Sequence, residues 1–129
     1  MGLCEGDRIE LRVTPDRYVT VRYAGASGDF NPIHIDEEFA TAVGLPGRIL
    51  HGLWSMAQVA RAATQAAGGD PASLRSLSVQ FRGMGRLEQE VVVSGEVRSV
   101  ADGIATAKLE AMQGEARLIR NAVAELRVD

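Results

Sequence analysis

Residues 51–67, HGLWSMAQVARAATQAA, end in Gly68-Gly69 and are followed by four segments with the two-residue beat of strands, an order that narrows the possible folds sharply. Within the first stretch Leu53, Met56, Ala57, Ala60, Ala63 and Ala67 recur at three- and four-residue steps. That spacing makes one stripe along a helix, and the many alanines let neighbours approach closely. Trp54 falls off the stripe, so apolar surface extends round the cylinder, as expected of a helix covered on several sides. From Leu74 onward LRSLSVQF, EVVVSGEVRSV, IATAKLEAM and RLIRNAVAELRV alternate or are β-branched, with Ala101-Asp102-Gly103 and Gln113-Gly114-Glu115 supplying turns. Four such segments in a row predict an antiparallel meander. Together with RIELRV at Arg8 to Val13, they predict an α+β domain in which a sheet of about five strands holds one long helix on its concave face.

A chain of 129 residues, 46% hydrophobic and 24% charged, has the size and composition of one folded domain, taken here as 1–129. Its formal charge of -3 gives no footprint for a phosphate backbone, and no basic block stands out, so nucleic acid is not an expected partner. No apolar run approaches the roughly 20 residues of a membrane span. Cys4 is the only cysteine and cannot make an internal disulfide. With an N-terminus, MGLCEGDRIE, that lacks basic and apolar leader regions, this favours the cytoplasm. Gly2 follows Met1, but Gly6 stands where a myristoylation signal has Ser or Thr.

Between the first strand and the long helix the sequence is punctuated. Thr14-Pro15-Asp16 suits a helix start, with proline at the first helical position. A helix through Tyr18 and Tyr23 is the preferred reading; the β-branched run Tyr18-Val19-Thr20-Val21 also fits a hairpin strand. Residues 27–32 form a loop, because Gly28 is permissive, Asp29 and Asn31 favour side-chain turns, and Pro32 pushes Asn31 out of the α region. Asp36-Glu37-Glu38 then load negative charge at the start of a short helix, DEEFATAVG, that Gly44 ends.

Asp29 and His34 lie on either side of Asn31-Pro32, and a bend there can bring carboxylate and imidazole together over one water, a pair suited to acid and base work. The alternative is that Asp29 and Asn31 close local turns while His34 is a satisfied loop histidine. Leu50-His51-Gly52 leads into the long helix, whose first turn exposes backbone N–H groups that Gly52 leaves approachable by an anionic oxygen. Close packing at a helix start explains Gly52 equally well. His34-Ile35-Asp36 with His51 has the letters of an iron-binding triad, but Asp36 and His51 each open a helix, and no metal is expected. Ser55 has no flanking nucleophile-elbow glycines. Gly83-Met84-Gly85 is too sparse for a phosphate loop and reads as a strand bend or bulge.

Taken together, Tyr23-Ala24-Gly25-Ala26-Ser27-Gly28-Asp29-Phe30-Asn31-Pro32-Ile33-His34, followed by Asp36, Phe39 and Ala40, resembles the hydratase-2 signature of the MaoC-like family. That family comprises (R)-specific enoyl-CoA hydratases and (3R)-hydroxyacyl-ACP dehydratases. Gly44-Leu45-Pro46 and Leu50-His51-Gly52 match it as well, so the likeness is close over about residues 20–60, and only a pattern in the strands.

The resemblance implies a hot-dog fold, a curved antiparallel sheet wrapped round the central helix. It implies Asp29 and His34 as the catalytic pair and the Gly52 N–H as donor to a thioester oxygen. Asn31, Ser27, Gly28, His51 and Ser55 take supporting roles, with Asn31 orienting the loop and His51 positioning or packing. The reaction is hydration of a trans-2-enoyl thioester to the (R)-3-hydroxyacyl thioester, or the reverse, with acyl-CoA or acyl-ACP as substrate and no cofactor or metal. The resemblance also implies a homodimer, or a mixed pair with a related hot-dog subunit. Two further readings stay open: a dehydratase of polyketide or other specialised acyl thioesters, and a thioester-binding subunit without independent activity. The chain departs from some members in having Val59-Ala60-Arg61 where they carry a hydroxyl residue, and in lacking a proline around residues 82–88.

Overall fold

The computed structural model describes residues 2–128. Strand β1 (Arg8–Val13) leads into helices α1 (Val19–Ser27), α2 (Pro32–Ile35), α3 (Glu37–Ala42) and α4 (Gly52–Ala66). A short 3-10 turn (Pro71–Ser73) then precedes strands β2 (Leu74–Phe81), β3 (Val91–Ala101), β4 (Ile104–Gln113) and β5 (Ala116–Arg127). The strands form one sheet in the order β1-β3-β4-β5-β2, every neighbouring pair antiparallel.

The expected four-strand meander is therefore corrected to three strands, β3 to β5. β2 lies at the far edge, paired with β5 rather than with β3. Connection length explains the difference. Asp102 and Gly103 both adopt positive φ, 52° and 76°, and close the β3–β4 hairpin with the twist such turns require. Residues 82–90 are too many for a tight hairpin and carry the chain across the sheet instead. Gly83-Met84-Gly85 falls in this crossover, not within a strand. A β-carbon on Gly83 would stand 2.7 Å from the Arg117 carbonyl oxygen, so the close backbone approach accounts for the glycine.

Helix α4 touches all five strands. Its buried face consists of Trp54, Ser55, Gln58, Val59, Ala62 and Ala63, which corrects the stripe drawn from sequence. Leu53 and Ala57 are exposed, and of that stripe only Ala63 is fully buried. Two polar residues, Ser55 and Gln58, lie on the inner face and broke the apolar count. Gln58 is satisfied there, donating to the Trp54 carbonyl at 3.4 Å and accepting from Arg61 at 3.0 Å. Ala105, Ala107, Ala111, Ala122 and Ala124 face the helix as small, buried residues. Leu118, Ile119 and Leu126 on β5 are buried in the same core, each contributing about 1.5–3 kcal/mol by leaving water.

α1 is a helix, not a hairpin strand, and it starts at Val19, later than Thr14-Pro15 suggests. The Asp16 carboxylate receives the Tyr18 N–H at 2.8 Å and an Arg22 guanidinium N–H at 2.8 Å, which closes the turn before the helix. His34 sits on the one-turn helix α2 and not in a loop. Pro32 is at its first position and Asn31 is its cap.

Candidate active site

α1 stops at Gly28, whose φ of 80° is left-handed and whose N–H returns to the Ala24 carbonyl at 2.8 Å. From there the bend is assembled by short side chains, each accepting from the backbone two residues on. Ser27 Oγ, which donates to the Tyr23 carbonyl at 2.7 Å, accepts the Asp29 N–H at 3.1 Å. Asp29 Oδ1 accepts the Asn31 N–H at 3.2 Å, and Asn31 Oδ1 accepts the Ile33 N–H at 3.2 Å. The turn reading of Asp29 and Asn31 therefore holds, and it commits only one of the two Asp29 carboxylate oxygens.

That other oxygen, Oδ2, stands 3.9 Å from Nε2 of His34. The gap is too wide for a direct hydrogen bond, and a water at its apex can reach both atoms. His34 is buried, whereas half of the Asp29 side chain is open to solvent. His34 Nδ1 lies 2.8 Å from the Ile49 carbonyl oxygen. A carbonyl only accepts, so Nδ1 carries a hydrogen, and Nε2 is the ring nitrogen that faces Asp29.

The Ile49 carbonyl is itself held. Ile49 N–H donates to the Ile33 carbonyl at 3.1 Å, and Leu50 N–H to the Gly85 carbonyl at 2.9 Å. Beside them the half-buried Arg48 donates to the Arg17 carbonyl at 3.0 Å and to Thr20 Oγ1 at 3.4 Å, and pairs with Glu37 at 3.6 Å. Glu37 Oε1 also accepts the Arg48 N–H at 3.1 Å. Gly47, with φ 152°, passes so close to Glu37 that a β-carbon would stand 2.6 Å from its Oε2.

His51 precedes α4 and is buried. Its Nε2 is 3.1 Å from the main-chain oxygen of Asp29. Its ring stacks on that of His34, centroids 3.8 Å apart and planes within 20°, and Tyr23 covers it at 4.8 Å. Nδ1 of His51 is buried without a hydrogen-bond partner among the described residues, an arrangement that costs about 1–3 kcal/mol. Gly52 follows as the first helical residue, its N–H among those that a helix leaves without an internal acceptor. A β-carbon here would stand 3.3 Å from the Phe81 ring.

The sequence-derived residues Asp29, His34 and His51 come together, and Ser27, Gly28 and Asn31 shape the bend. Ser55 lies buried one turn into α4, tied to His51 only through its backbone N–H at 3.4 Å. Asp36 goes elsewhere, accepting the Phe39 N–H at 3.1 Å as the cap of α3. Asp29, His34 and His51 do offer ligand atoms within 4.8 Å of one another. Lone pairs lie in the ring planes, however, and two imidazoles stacked nearly parallel cannot aim theirs at one ion. Ile49, Tyr23 and Phe81 were not singled out as site residues. Ile49 acts through a carbonyl, which leaves no mark on residue type, while Tyr23 opened the matched motif.

The sequence pattern of the MaoC like domain matches residues 6–117. The chain belongs to the MaoC-like dehydratase family. This MaoC-like chain is 37% identical over 128 residues to the fatty acid synthase subunit beta of Aspergillus oryzae, covering 91% of itself but 6% of that subunit. It is also 37% identical over 73 residues to the peroxisomal enoyl-CoA hydratase 2 of Arabidopsis thaliana, covering 56% of itself and 23% of that protein. The chain therefore spans a small part of the curated relatives it matches. Among solved structures, the (R)-hydratase of A. caviae superposes with a TM-score of 0.89 over 98% of both chains at 23% identity, a likeness of fold. The ChsH1-ChsH2 complex of Mycobacterium tuberculosis gives 0.86 at 26% identity, again over 98% of both. These likenesses identify the five-stranded sheet and its helix as the hot-dog fold. No helix among the described residues is long and apolar enough to cross a membrane.

Proposed function

We propose that this chain, acting as a single MaoC-like domain, is a hydro-lyase that reversibly adds water to a trans-2-enoyl thioester to give the (R)-3-hydroxyacyl thioester. The observation that carries the reading is the 3.9 Å gap between Asp29 Oδ2 and His34 Nε2, each with its other polar atom already committed to the backbone. A water between them loses a proton to Asp29 as its oxygen attacks C3, and a proton from the dyad goes to C2. One water O–H bond and the C2–C3 π bond break, C3–O and C2–H bonds form, and the dyad ends with as many protons as it began. Dehydration reverses these steps.

Charge gathers on the thioester oxygen as the C2 carbanion is relayed into the carbonyl. Gly52 N–H, at the positive end of α4, is the donor for that oxygen, and such a preorganised donor is worth about 3 kcal/mol. The substrate carrier is CoA or an acyl carrier protein, and the protein works in the cytoplasm.

The working unit in this reading is a homodimer. β2 is an open sheet edge, and Phe81 at its end and Leu53 on α4 are exposed apolar side chains; unpaired edges of this kind invite a partner strand. A mixed pair with a related hot-dog subunit is the second arrangement, supported by the two-chain ChsH1-ChsH2 neighbour.

Loss of the conjugated enoyl absorbance of crotonyl-CoA tests the activity. Wild type should consume it, and Asp29→Asn and His34→Ala should lower the rate by about a thousandfold or more. Retained activity in either variant, or release of free CoA thiol in place of hydration, defeats the proposal.

A further inference from the structure

We infer that His51 is a positioning residue: its Nε2–H holds the Asp29 main chain to the head of α4, and its ring sets the plane of the His34 imidazole. The inference rests on the hydratase reading above and adds to it a role for the third ring of the site.

Main-chain oxygens only accept hydrogen bonds, so the 3.1 Å contact to Asp29 places the His51 hydrogen on Nε2. His34, by the same argument from Ile49, carries its hydrogen on Nδ1. The two stacked rings thus donate through opposite nitrogens, each locked by a carbonyl from a different segment. The consequence for geometry is direct. The dyad carboxylate belongs to the loop after α1, and the proposed oxyanion donor belongs to residue 52, so the two groups come from separate elements. His51 is covalently joined to Gly52 and hydrogen-bonded to residue 29, which makes it the shortest link between them. Through its face, stacked at 3.8 Å and within 20°, it also restrains the rotation of His34 about its own axis.

A purely packing role fits poorly. His51 is almost wholly buried, yet Nδ1 has no partner there. An apolar ring of similar size would fill the volume without leaving an acceptor unmet. What only the imidazole supplies is the Nε2 donor.

His51→Phe keeps a flat ring and removes the donor, whereas His51→Gln keeps a donor at about the Nε2 position. With crotonyl-CoA, the Phe variant should lose about 30- to 100-fold in kcat with KM little changed, while Gln should stay within about tenfold of wild type. Long-range proton–nitrogen NMR correlations supply a readout independent of turnover, and they are simple to assign because the chain has only two histidines. They should show one ring protonated at Nε2, assigned to His51 by its loss in the Phe variant, and the other at Nδ1. The inference is overturned if His51 carries its hydrogen on Nδ1, if Phe keeps wild-type kcat, if Gln is no better than Phe, or if the activity lost merely follows a fall in melting temperature. Should wild type leave every enoyl thioester untouched, the functional reading fails by itself. The tautomer spectrum then still decides whether His51 ties the two elements.

Discussion

The Phe81 ring covers Gly52 so closely that a β-carbon on the glycine would stand 3.3 Å from it. The last side chain of β2 thus packs over the first residue of the central helix. Any constraint on Gly52 is one of space, since its backbone is not in the left-handed region.

Gly52→Ala should therefore fold normally, because Phe81 is exposed and can shift by the few tenths of an ångström required. The methyl group still stands beside the N–H assigned to the thioester oxygen. A fall of about tenfold or more in kcat with an unchanged melting temperature is expected, and Gly52→Val should be worse. Loss of stability without loss of rate per folded molecule contradicts the role given to this N–H.

Asn31→Ala removes the acceptor of the Ile33 N–H and so uncaps α2, the turn that carries His34. Denaturant titration should show a loss of about 1 kcal/mol. A further drop in kcat is expected in the variant under conditions where it is fully folded, because Asp29 Oδ2 and His34 Nε2 lose their fixed separation. Wild-type values for both quantities refute this account of the loop.

Gly95→Ala tests the sheet rather than the site. A β-carbon there would overlap the Lys108 carbonyl oxygen and lie 2.8 Å from Leu109 Cα, and both obstacles are main chain in the adjacent strand. The clash cannot be relieved by a rotamer change, so a destabilisation of about 3 kcal/mol, or failure to fold, is expected in equilibrium unfolding.

Asp16 titrates in a predictable direction. Its carboxyl is held below the ordinary carboxylate range, first by the Arg22 guanidinium and then by the Tyr18 N–H. A group depressed in the folded state stabilises the fold above its unfolded pKa and ceases to do so as the pH drops through the folded value. Asp16→Asn should melt slightly below wild type at neutral pH, with the gap closing on acidification. The difference should be small, since the pair is exposed, and salt should shrink it. A gap that widens in acid contradicts the assignment.

Much of this molecule could be read from residue order. β1 and β2 run between the residues that alternation marked, and α4 begins and ends within a residue or so of its sequence estimate. Asp29, His34 and Gly52 stood out because their types are chemically specific and their neighbours, Gly28, Asn31 and Pro32, restrict the backbone. Pairing was less legible. Nothing local in LRSLSVQF says that its partner is β5 rather than β3, because a partner across the sheet is chosen by the whole core. The rotation of α4 was missed for a related reason: Ser55 and Gln58 look like surface residues until a helix carbonyl and Arg61 satisfy the glutamine inside. The stacking of His34 on His51 needs two segments to meet, and no spacing in the sequence encodes that meeting.

Both imidazoles are anchored to main-chain oxygens, those of Ile49 and Asp29. Every amino acid has such an oxygen, so the anchor on His34 is indifferent to what side chain residue 49 carries, provided the buried volume is respected. A family comparison could therefore find Val, Leu or Met at this position and score it as neutral drift, while the atom that aims the His34 ring stays constant in all of them.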